Sequence, residues 1–241
     1  MKIALIGYGK MGMAIEEIAV AKGHEIILKI HKDNITEFTK EAIQQADVAI
    51  EFTGPHSAFD NVMKCLDAGV PVICGSTGWL EKLPEVEAFC KKKKGTFLCA
   101  SNFSIGVNIF FELNTYLAKL MSHHTDYDVL LEEIHHTQKK DAPSGTAITL
   151  AEQVLQQIVS KKQWVNDVTN NPQDLTIVSK RIDPAAGTHT IKYTSPIDDI
   201  EIIHTAHNRK GFASGAVLAA EFVATKKGIF NMKQVLGLDV F

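Results

Sequence analysis

The first thirty residues constrain this chain more than any other stretch. Lys2 to Ile6 is a short apolar run, and Gly7-Tyr8-Gly9-Lys10-Met11-Gly12 follows at once. Met13 to Ala21 then carries helical periodicity, Gly23 ends it, and Glu25 to Ile30 returns to a strand-like run. A lone G-x-G-x-x-G says little, but between a strand and a helix, with a second strand behind it, it reads as a dinucleotide fingerprint. Gly7 allows the tight turn, Gly9 lets the backbone approach a pyrophosphate, and Gly12 lets the helix pack closely on the strand. The N–H groups that open the helix then face the phosphates.

In such a fingerprint an Asp or Glu closes the second strand and holds the ribose hydroxyls of the adenosine. Here that point falls at His31, with Lys32 beside it and Asp33 only later. A cation suits a 2′-phosphate that a carboxylate would repel. NADPH is therefore expected to serve at least as well as NADH, with Asp33 as a rival that could reach back to the ribose.

The alternation continues. Strand-like runs at 47–52, 70–74 and 96–100 alternate with helical runs at 39–45, 58–68 and 83–94. Repeated βα units imply a parallel sheet with helices on both faces, that is, a Rossmann-like, doubly wound α/β fold. Ligands bind such sheets at the carboxyl ends of the strands, here Gly7–Gly12, Phe52–Pro55, Gly75–Gly78 and Ser101–Ser104.

After Asn102 the pattern changes. Residues 106–121 read as one long apolar helix, 128–134 as a strand, 147–159 as a helix, and the polar segment 160–174 as a loop. Leu175–Arg181, Gly187–Ser195 and Asp199–Ala206 look like antiparallel strands joined by turns at Asp183-Pro184 and Pro196. The apolar helical run at 214–224 needs a partner, and the first domain offers one. The expected organisation is a discontinuous dinucleotide-binding domain, 1–103 with 210–241, holding an inserted α+β domain, 104–209, for substrate and oligomerisation.

Composition excludes other classes. The formal net charge of -3 shows no basic surface for nucleic acid. The Lys91–Lys94 run reads as a solvated helix end complementing the helix dipole. No run approaches the ~18 apolar residues of a membrane span, and Met1 leads straight into a strand with no room for a signal peptide. Cys65, Cys74, Cys90 and Cys99 show no C-x-x-C spacing and read as free thiols in a reducing cytoplasm.

The chemistry is concentrated in Glu132–Thr146, E-E-I-H-H-T-Q-K-K-D-A-P-S-G-T, between a strand and a helix start. Successive strand positions alternate, so His135 and His136 face opposite ways: one can deliver a proton while the other binds substrate or packs. Lys139 can reach the same pocket as a cation for a carboxylate or a developing negative charge, while Lys140 points to solvent. Ser144 or Thr146 can cap the helix, and the Gly145 and Thr146 N–H groups with the Thr146 hydroxyl form a carboxylate cradle. A metal site drawn from His135, His136, Asp141, His204 and His207 matches no H-x-x-x-H spacing and has no cysteine partner, so none is expected.

Six segments together resemble the 4-hydroxy-tetrahydrodipicolinate reductase (dihydrodipicolinate reductase) family of the bacterial lysine pathway. They are G-Y-G-K-M-G at 7–12, E-F-T-G-P at 51–55, G-S-T-G-W at 75–79, A-S-N-F-S-I-G-V-N at 100–108, H-H-T-Q-K-K-D-A-P-S-G-T at 135–146 and F-A-S-G-A at 212–216. The resemblance implies a cytoplasmic two-domain homotetramer that reduces a cyclic dicarboxylate with NADPH or NADH. It makes His135 the general acid with Lys139 as cationic partner, and His136, Gly145 and Thr146 substrate contacts. It makes Gly7, Tyr8, Gly9, Lys10, Met11, Gly12, Gly75, Ser76, Thr77, Ala100, Ser101, Asn102 and Phe103 cofactor contacts, to which the reading of the second strand's end adds His31 and Lys32 at the adenosine. The family's acidic ribose ligand has no counterpart at His31.

Overall fold

A computed structural model of the chain describes residues 1–208 and 210–239. Arg209, Val240 and Phe241, at the ends of the expected domain ranges, lie outside the described residues. The chain forms two compact units, Met1–Ile105 with Lys210–Phe241, and Gly106–Arg209.

The first unit opens with β1 (Lys2–Ile6), α1 (Lys10–Ala21) and β2 (Glu25–Ile30). Helix α1 begins three residues before its apolar periodicity does, with Gly9 as N-cap, so the helix start lies within the fingerprint itself. A 3-10 stretch (Lys32–Glu37) and the short α2 (Lys40–Ile43) lead to β3 (Val48–Glu51). Then come α3 (Ala58–Asp67), β4 (Val72–Cys74), α4 (Leu83–Lys93) and β5 (Thr96–Cys99). Lys91–Lys94 are exposed at the end of α4, as the helix dipole favours.

The second unit carries α5 (Ile105–Met121, entered from the first), β6 (Asp128–His135), α6 (Gly145–Gln157), β7 (Gln163–Val165), β8 (Asp174–Arg181), β9 (Gly187–Thr194) and β10 (Asp199–Ala206). The chain returns to the first unit with α7 (Lys210–Val223), β11 (Gly228–Phe230) and α8 (Met232–Leu236).

The first sheet runs β11-β5-β4-β3-β1-β2, parallel throughout. The chain leaves β1 for β2 on one side and crosses to β3 on the other, so the strand order reverses beside Gly7. Alternation within the strands fills both faces. Ala4, Ile6, Ala49, Val72 and Phe97 pack with α3 and α4, while Ile3, Leu5, Val48, Ile50 and Leu98 pack with α1 and α7. Three residues of β11 extend this sheet at β5, a strand too short to show a period in the sequence.

The second sheet, β10-β9-β6-β8-β7, corrects two expectations. β8 and β9 are not a hairpin: β6 lies between them, antiparallel to β9 and parallel to β8. The crossover through α6 returns the chain on the far side of β6, where a parallel partner is the outcome. The polar segment 160–174 also contains the edge strand β7, with Lys161 buried beneath it. The hairpin at Pro196 is formed, between β9 and β10.

Only one face of this sheet carries the core. Val129, Leu131, Leu175, Ile177, Ile191 and Tyr193 pack against Phe110, Phe111 and Ala118 of α5 and Leu150, Ala151 and Val154 of α6. The other face carries ion pairs such as Lys180–Glu132 and Lys192–Glu201. Asn114, fully buried, ties the two helices by donating to the Leu150 carbonyl at 3.0 Å and to Gln153 at 2.9 Å.

Tyr193 is 1% exposed and its hydroxyl has no hydrogen-bond partner among the described residues. A buried hydroxyl left unpaired costs about 1–3 kcal/mol of desolvation. Tyr193→Phe is expected to leave the thermal midpoint unchanged or to raise it; a loss above about 1 kcal/mol would show that the hydroxyl is bonded after all.

Candidate active site

In the first unit, the β1–α1 turn is held by its neighbours. The N–H groups of Gly7 and Tyr8 both donate to the Ile30 carbonyl, at 2.9 and 2.8 Å. Gly7 adopts φ +98°, and a Cβ there would lie 2.2 Å from the Phe52 carbonyl oxygen, so no other residue fits the turn. Gly9 faces open space. No side chain caps α1 and no acidic residue occupies its first turn, which leaves its opening N–H groups to an incoming anion. These features suit a dinucleotide pyrophosphate.

A cavity of about 740 Å³ adjoins this turn, with Ile30, His31, Lys32, Phe52, Thr53 and Asn61 among its walls. His31 caps the following 3-10 stretch: its Nδ1 accepts from the Asp33 N–H at 3.2 Å, and its own N–H donates to Asn34 at 2.8 Å. Lys32 is exposed at the rim. The Tyr8 hydroxyl donates to Glu16, which also pairs with Lys29 at 2.5 Å, so Lys29 is committed and Lys32 is the cation beside the cavity with no ion pair among the described residues.

The remaining expected cofactor residues divide by environment. Lys10, Thr77 and Ser101 are exposed, Gly75 and Ala100 are half-buried, and Met11 packs on the core. Ser76 and Asn102 are buried, the Asn102 carbonyl oxygen accepting from the Ser104 N–H at 2.8 Å. Phe103 is a core residue whose ring lies 5.6 Å from that of Phe52.

In the second unit, register assembles the site. Val129, Leu131, Glu133 and His135 share the covered face of β6. Pairing sets Glu133 opposite His189 on β9 and Ser179 on β8, and His135 opposite Arg181. His136 lies past the strand end, half-buried, on the side where the Thr137 N–H and hydroxyl bond Asp183 at 3.2 and 2.6 Å. His135 thus lies on the core side of β6.

Glu133 is fully buried. Its carboxylate accepts from the Ser144 N–H at 3.1 and 3.2 Å and from the Ser179 hydroxyl at 2.8 Å, and meets Arg181 Nη2 at 3.3 Å. His135, 8% exposed, sets Nδ1 3.4 Å from the Glu133 carboxylate, and its ring meets His189 edge-on with centroids 5.1 Å apart. A Cβ on Gly187 would come within 3.1 Å of His135 Nε2, so a larger residue there would press on the ring.

Ser144 is the N-cap of α6, its hydroxyl accepting from the Ala147 N–H at 3.2 Å. Gly145 and Thr146 are then the first two helical residues, two positions earlier than the apolar period implied. The first turn carries no acidic residue, and a Cβ at Gly145 would meet nothing within 4 Å. That end of the helix offers a carboxylate open space at Gly145 and a favourable dipole. Lys139, half-buried, pairs with Asp141 at 2.9 Å, and Lys140 is exposed.

Charge states follow from these contacts. Burial pushes the His135 pKa below the ordinary histidine value; Glu133 opposes this, while Lys139 and Arg181 add to it. Burial alone would raise Glu133, but the Ser144 and Ser179 hydrogen bonds and the His135 charge together hold it below the usual carboxylate range. Burial drives His189 down to about 3, so it is neutral near pH 7. The site is thus an ionised buried carboxylate with one histidine able to gain and lose a proton beside it.

Glu133, Ser179, Arg181, Gly187 and His189 were not expected from the sequence. Glu133 was within reach, because it sits two residues before His135 on one strand and therefore shares its face. The others arrive from β8 and β9 through pairings that the misassigned hairpin concealed.

Residues 1–103 match the family described as dihydrodipicolinate reductase, N-terminus, and residues 106–236 match dihydrodipicolinate reductase, C-terminus. The 4-hydroxy-tetrahydrodipicolinate reductase of Christiangramia forsetii is 48% identical, covering 100% of this chain and 99% of that protein. The reductase of the same name from Methanosarcina acetivorans is 35% identical, covering 98% of this chain and 89% of that protein. Among solved structures, a dipicolinate-bound dihydrodipicolinate reductase from Paenisporosarcina sp. TG-14 aligns with a TM-score of 0.75 at 24% identity, covering 96% of this chain and 97% of that one. At that identity the likeness speaks for the fold.

Proposed function

The chain belongs to the dihydrodipicolinate reductase family, and from that premise we propose how its two units divide the work of a reductase. It is an oxidoreductase that reduces 4-hydroxy-tetrahydrodipicolinate to tetrahydrodipicolinate in diaminopimelate and lysine biosynthesis. The first unit is a dinucleotide-binding fold. The observation that carries the assignment of roles is His135, the strand-end imidazole beside an open helix N-terminus, with one ring nitrogen turned to a buried carboxylate.

A nicotinamide cofactor, when bound, supplies a hydride. Gly7, Gly9 and the start of α1 receive its pyrophosphate, and the cavity beside His31 and Lys32 takes the adenosine. NADPH is preferred or equal to NADH, because Lys32 offers a cation at that rim and no carboxylate closes β2.

The 4-hydroxy substrate carries two carboxylates and loses its hydroxyl as water to give a conjugated cyclic imine; hydride addition to that imine leaves negative charge that a proton must quench. With Nδ1 turned to Glu133, Nε2 is the nitrogen from which His135 gives that proton. Gly145 and Thr146 receive one substrate carboxylate at the start of α6, and Lys139 and His136 answer the other. Lys139 exchanges its Asp141 partner for the substrate and steadies the developing charge.

The proposed assembly is a cytoplasmic homotetramer. Helix α5 exposes Ile109, Leu113, Tyr116 and Leu120 at 43–62% along one face, and the free edge strand β10 exposes Ile203 at 58%. Apolar stripes of this kind mark association surfaces, and pairing between copies removes an exposed strand edge. Cys65, Cys74 and Cys90 are buried free thiols, in keeping with a reducing compartment.

Kinetics test the roles directly. With NADPH and the fresh condensation product of aspartate semialdehyde and pyruvate, His135→Gln is expected to lower kcat about 10²–10⁴-fold with little change in KM. Lys139→Ala should lower kcat and raise the substrate KM together. A kcat for His135→Gln within a few-fold of wild type removes the donor role, and an unchanged KM for Lys139→Ala removes the carboxylate role. At the cofactor end, Lys32→Ala should weaken NADPH more than NADH by fluorescence titration; equal losses would clear it of a phosphate contact.

A further inference from the structure

We infer that Glu133 is the positioning residue of this site: a single buried carboxylate locks the His135 ring and the N-terminus of α6 into one geometry and supplies the counter-charge for the protonated imidazole. The inference rests on the proposed donor role of His135.

The geometry is specific. Glu133 is fully buried, and it precedes His135 by two residues on the same face of β6. Its two oxygens take the backbone N–H of Ser144, the residue that caps the helix carrying Gly145 and Thr146. They also take the Ser179 hydroxyl and the Arg181 guanidinium from β8. The carboxylate cradle is therefore fastened to the same side chain that stands 3.4 Å from the proton donor's Nδ1, and that side chain touches no substrate atom in the proposed scheme. Freeing that carboxylate would release the helix start and the imidazole together.

Each charged group around His135 has a part. Arg181 on β8 and Lys139 in the loop before α6 disfavour the imidazolium, and Asp141 in that loop favours it. His189 on β9 is neutral at working pH, since burial and the nearby His135 and His204 all lower its pKa. Among the described residues Glu133 is the nearest anion, 3.4 Å from Nδ1, and Nδ1 has no hydrogen-bond partner. Hydrogen bonds of this kind are often long before substrate is seated and shorten with it.

The Glu133, His135 and His189 ligand atoms lie within 4.8 Å of one another, a spacing that would also suit a metal ion. Arg181 already places its positive charge 3.3 Å from that carboxylate, and Ser144 and Ser179 occupy its lone pairs. The filled coordination favours a proton-holding role.

The test is the pH dependence of kcat/KM, which reports the ionisation of the free enzyme. His135 must be protonated to act, so kcat/KM falls as pH rises through its pKa. Glu133→Gln keeps the size and an acceptor oxygen but removes the charge. The alkaline limb should move about 1–3 pH units toward acid, with kcat reduced even on the acid plateau. Glu133→Asp keeps the charge on a shorter arm, so its limb should stay near that of wild type while kcat falls. Nucleotide binding to the first unit, followed by fluorescence, should be unchanged in both variants, and a far-UV circular dichroism spectrum and thermal transition like those of wild type show that the second unit is folded. If Glu133→Gln is folded and its limb coincides with wild type, or if Glu133→Gln fails to fold and the limb of Glu133→Asp moves toward acid, Glu133 does not serve as the counter-charge. In the same experiment an active His135→Gln would instead remove the donor role on which the inference rests.

Discussion

A carboxylate without access to solvent has to be answered from all sides, and in the second unit Glu133 is answered by three elements at once. An isolated buried charge is costly enough that it would neutralise or rearrange its surroundings. Here the Ser144 backbone, the Ser179 hydroxyl and Arg181 meet it, and the His135 imidazole stands beside it. The parallel pairing of β6 with β8 is what brings Ser179 and Arg181 within reach. The turn through Asp141 to Pro143 returns the Ser144 N–H to the same point, and Arg181 clasps that turn through the Asp141 carbonyl, at 2.5 Å. The local chain path is thus an arrangement for satisfying one charge, and the proposed chemistry uses what that arrangement leaves exposed.

The first unit depends on a different constraint, the absence of side-chain volume. Gly7 sits against the Phe52 carbonyl, and Gly75 against the Phe52 ring, which would lie 2.2 Å from an added Cβ. Phe52 itself leans on Phe103. The ends of β1, β3 and β4 therefore converge on one residue, Phe52, through its carbonyl and its ring. Its neighbour Thr53 hydrogen-bonds the fully buried Glu51, which also accepts from Cys74 Sγ at 3.0 Å. A flat ligand crossing the carboxyl ends of these strands meets backbone and small residues, which is what the fingerprint glycines require.

Much of this was legible in the chain. The strand–glycine turn–helix order fixed the nature of the first unit, and the alternation of apolar runs located its elements within a few residues. His135, Lys139, Gly145 and Thr146 were visible because a short loop between two periodic segments concentrates them. What stayed hidden was pairing between segments distant in sequence. Val178, Ser179 and Arg181 carry no mark that says whether β6 or β9 is their neighbour, and a turn at Asp183-Pro184 suggests the wrong answer. Short strands also escaped: Gln163–Val165 and Gly228–Phe230 have too few residues for a two-residue period, and only neighbouring strands give them their form. Glu133 is the instructive case. It lay in plain view two positions from His135, but its polarity suggested solvent, whereas its partners make burial tolerable.

The protonation of His135 is set by burial and by the charges packed around it, and a bound ligand adjusts it. The most direct measurement is an NMR titration of the His135 ring, labelled at Cε1 and assigned with His135→Gln, in the free protein and with an aromatic dicarboxylate such as dipicolinate. In the free protein His135 is expected to titrate below the ordinary histidine value, and the added negative charge of the ligand should raise it. A His135 resonance that titrates as an ordinary exposed histidine, and does not respond to the dicarboxylate, would contradict this.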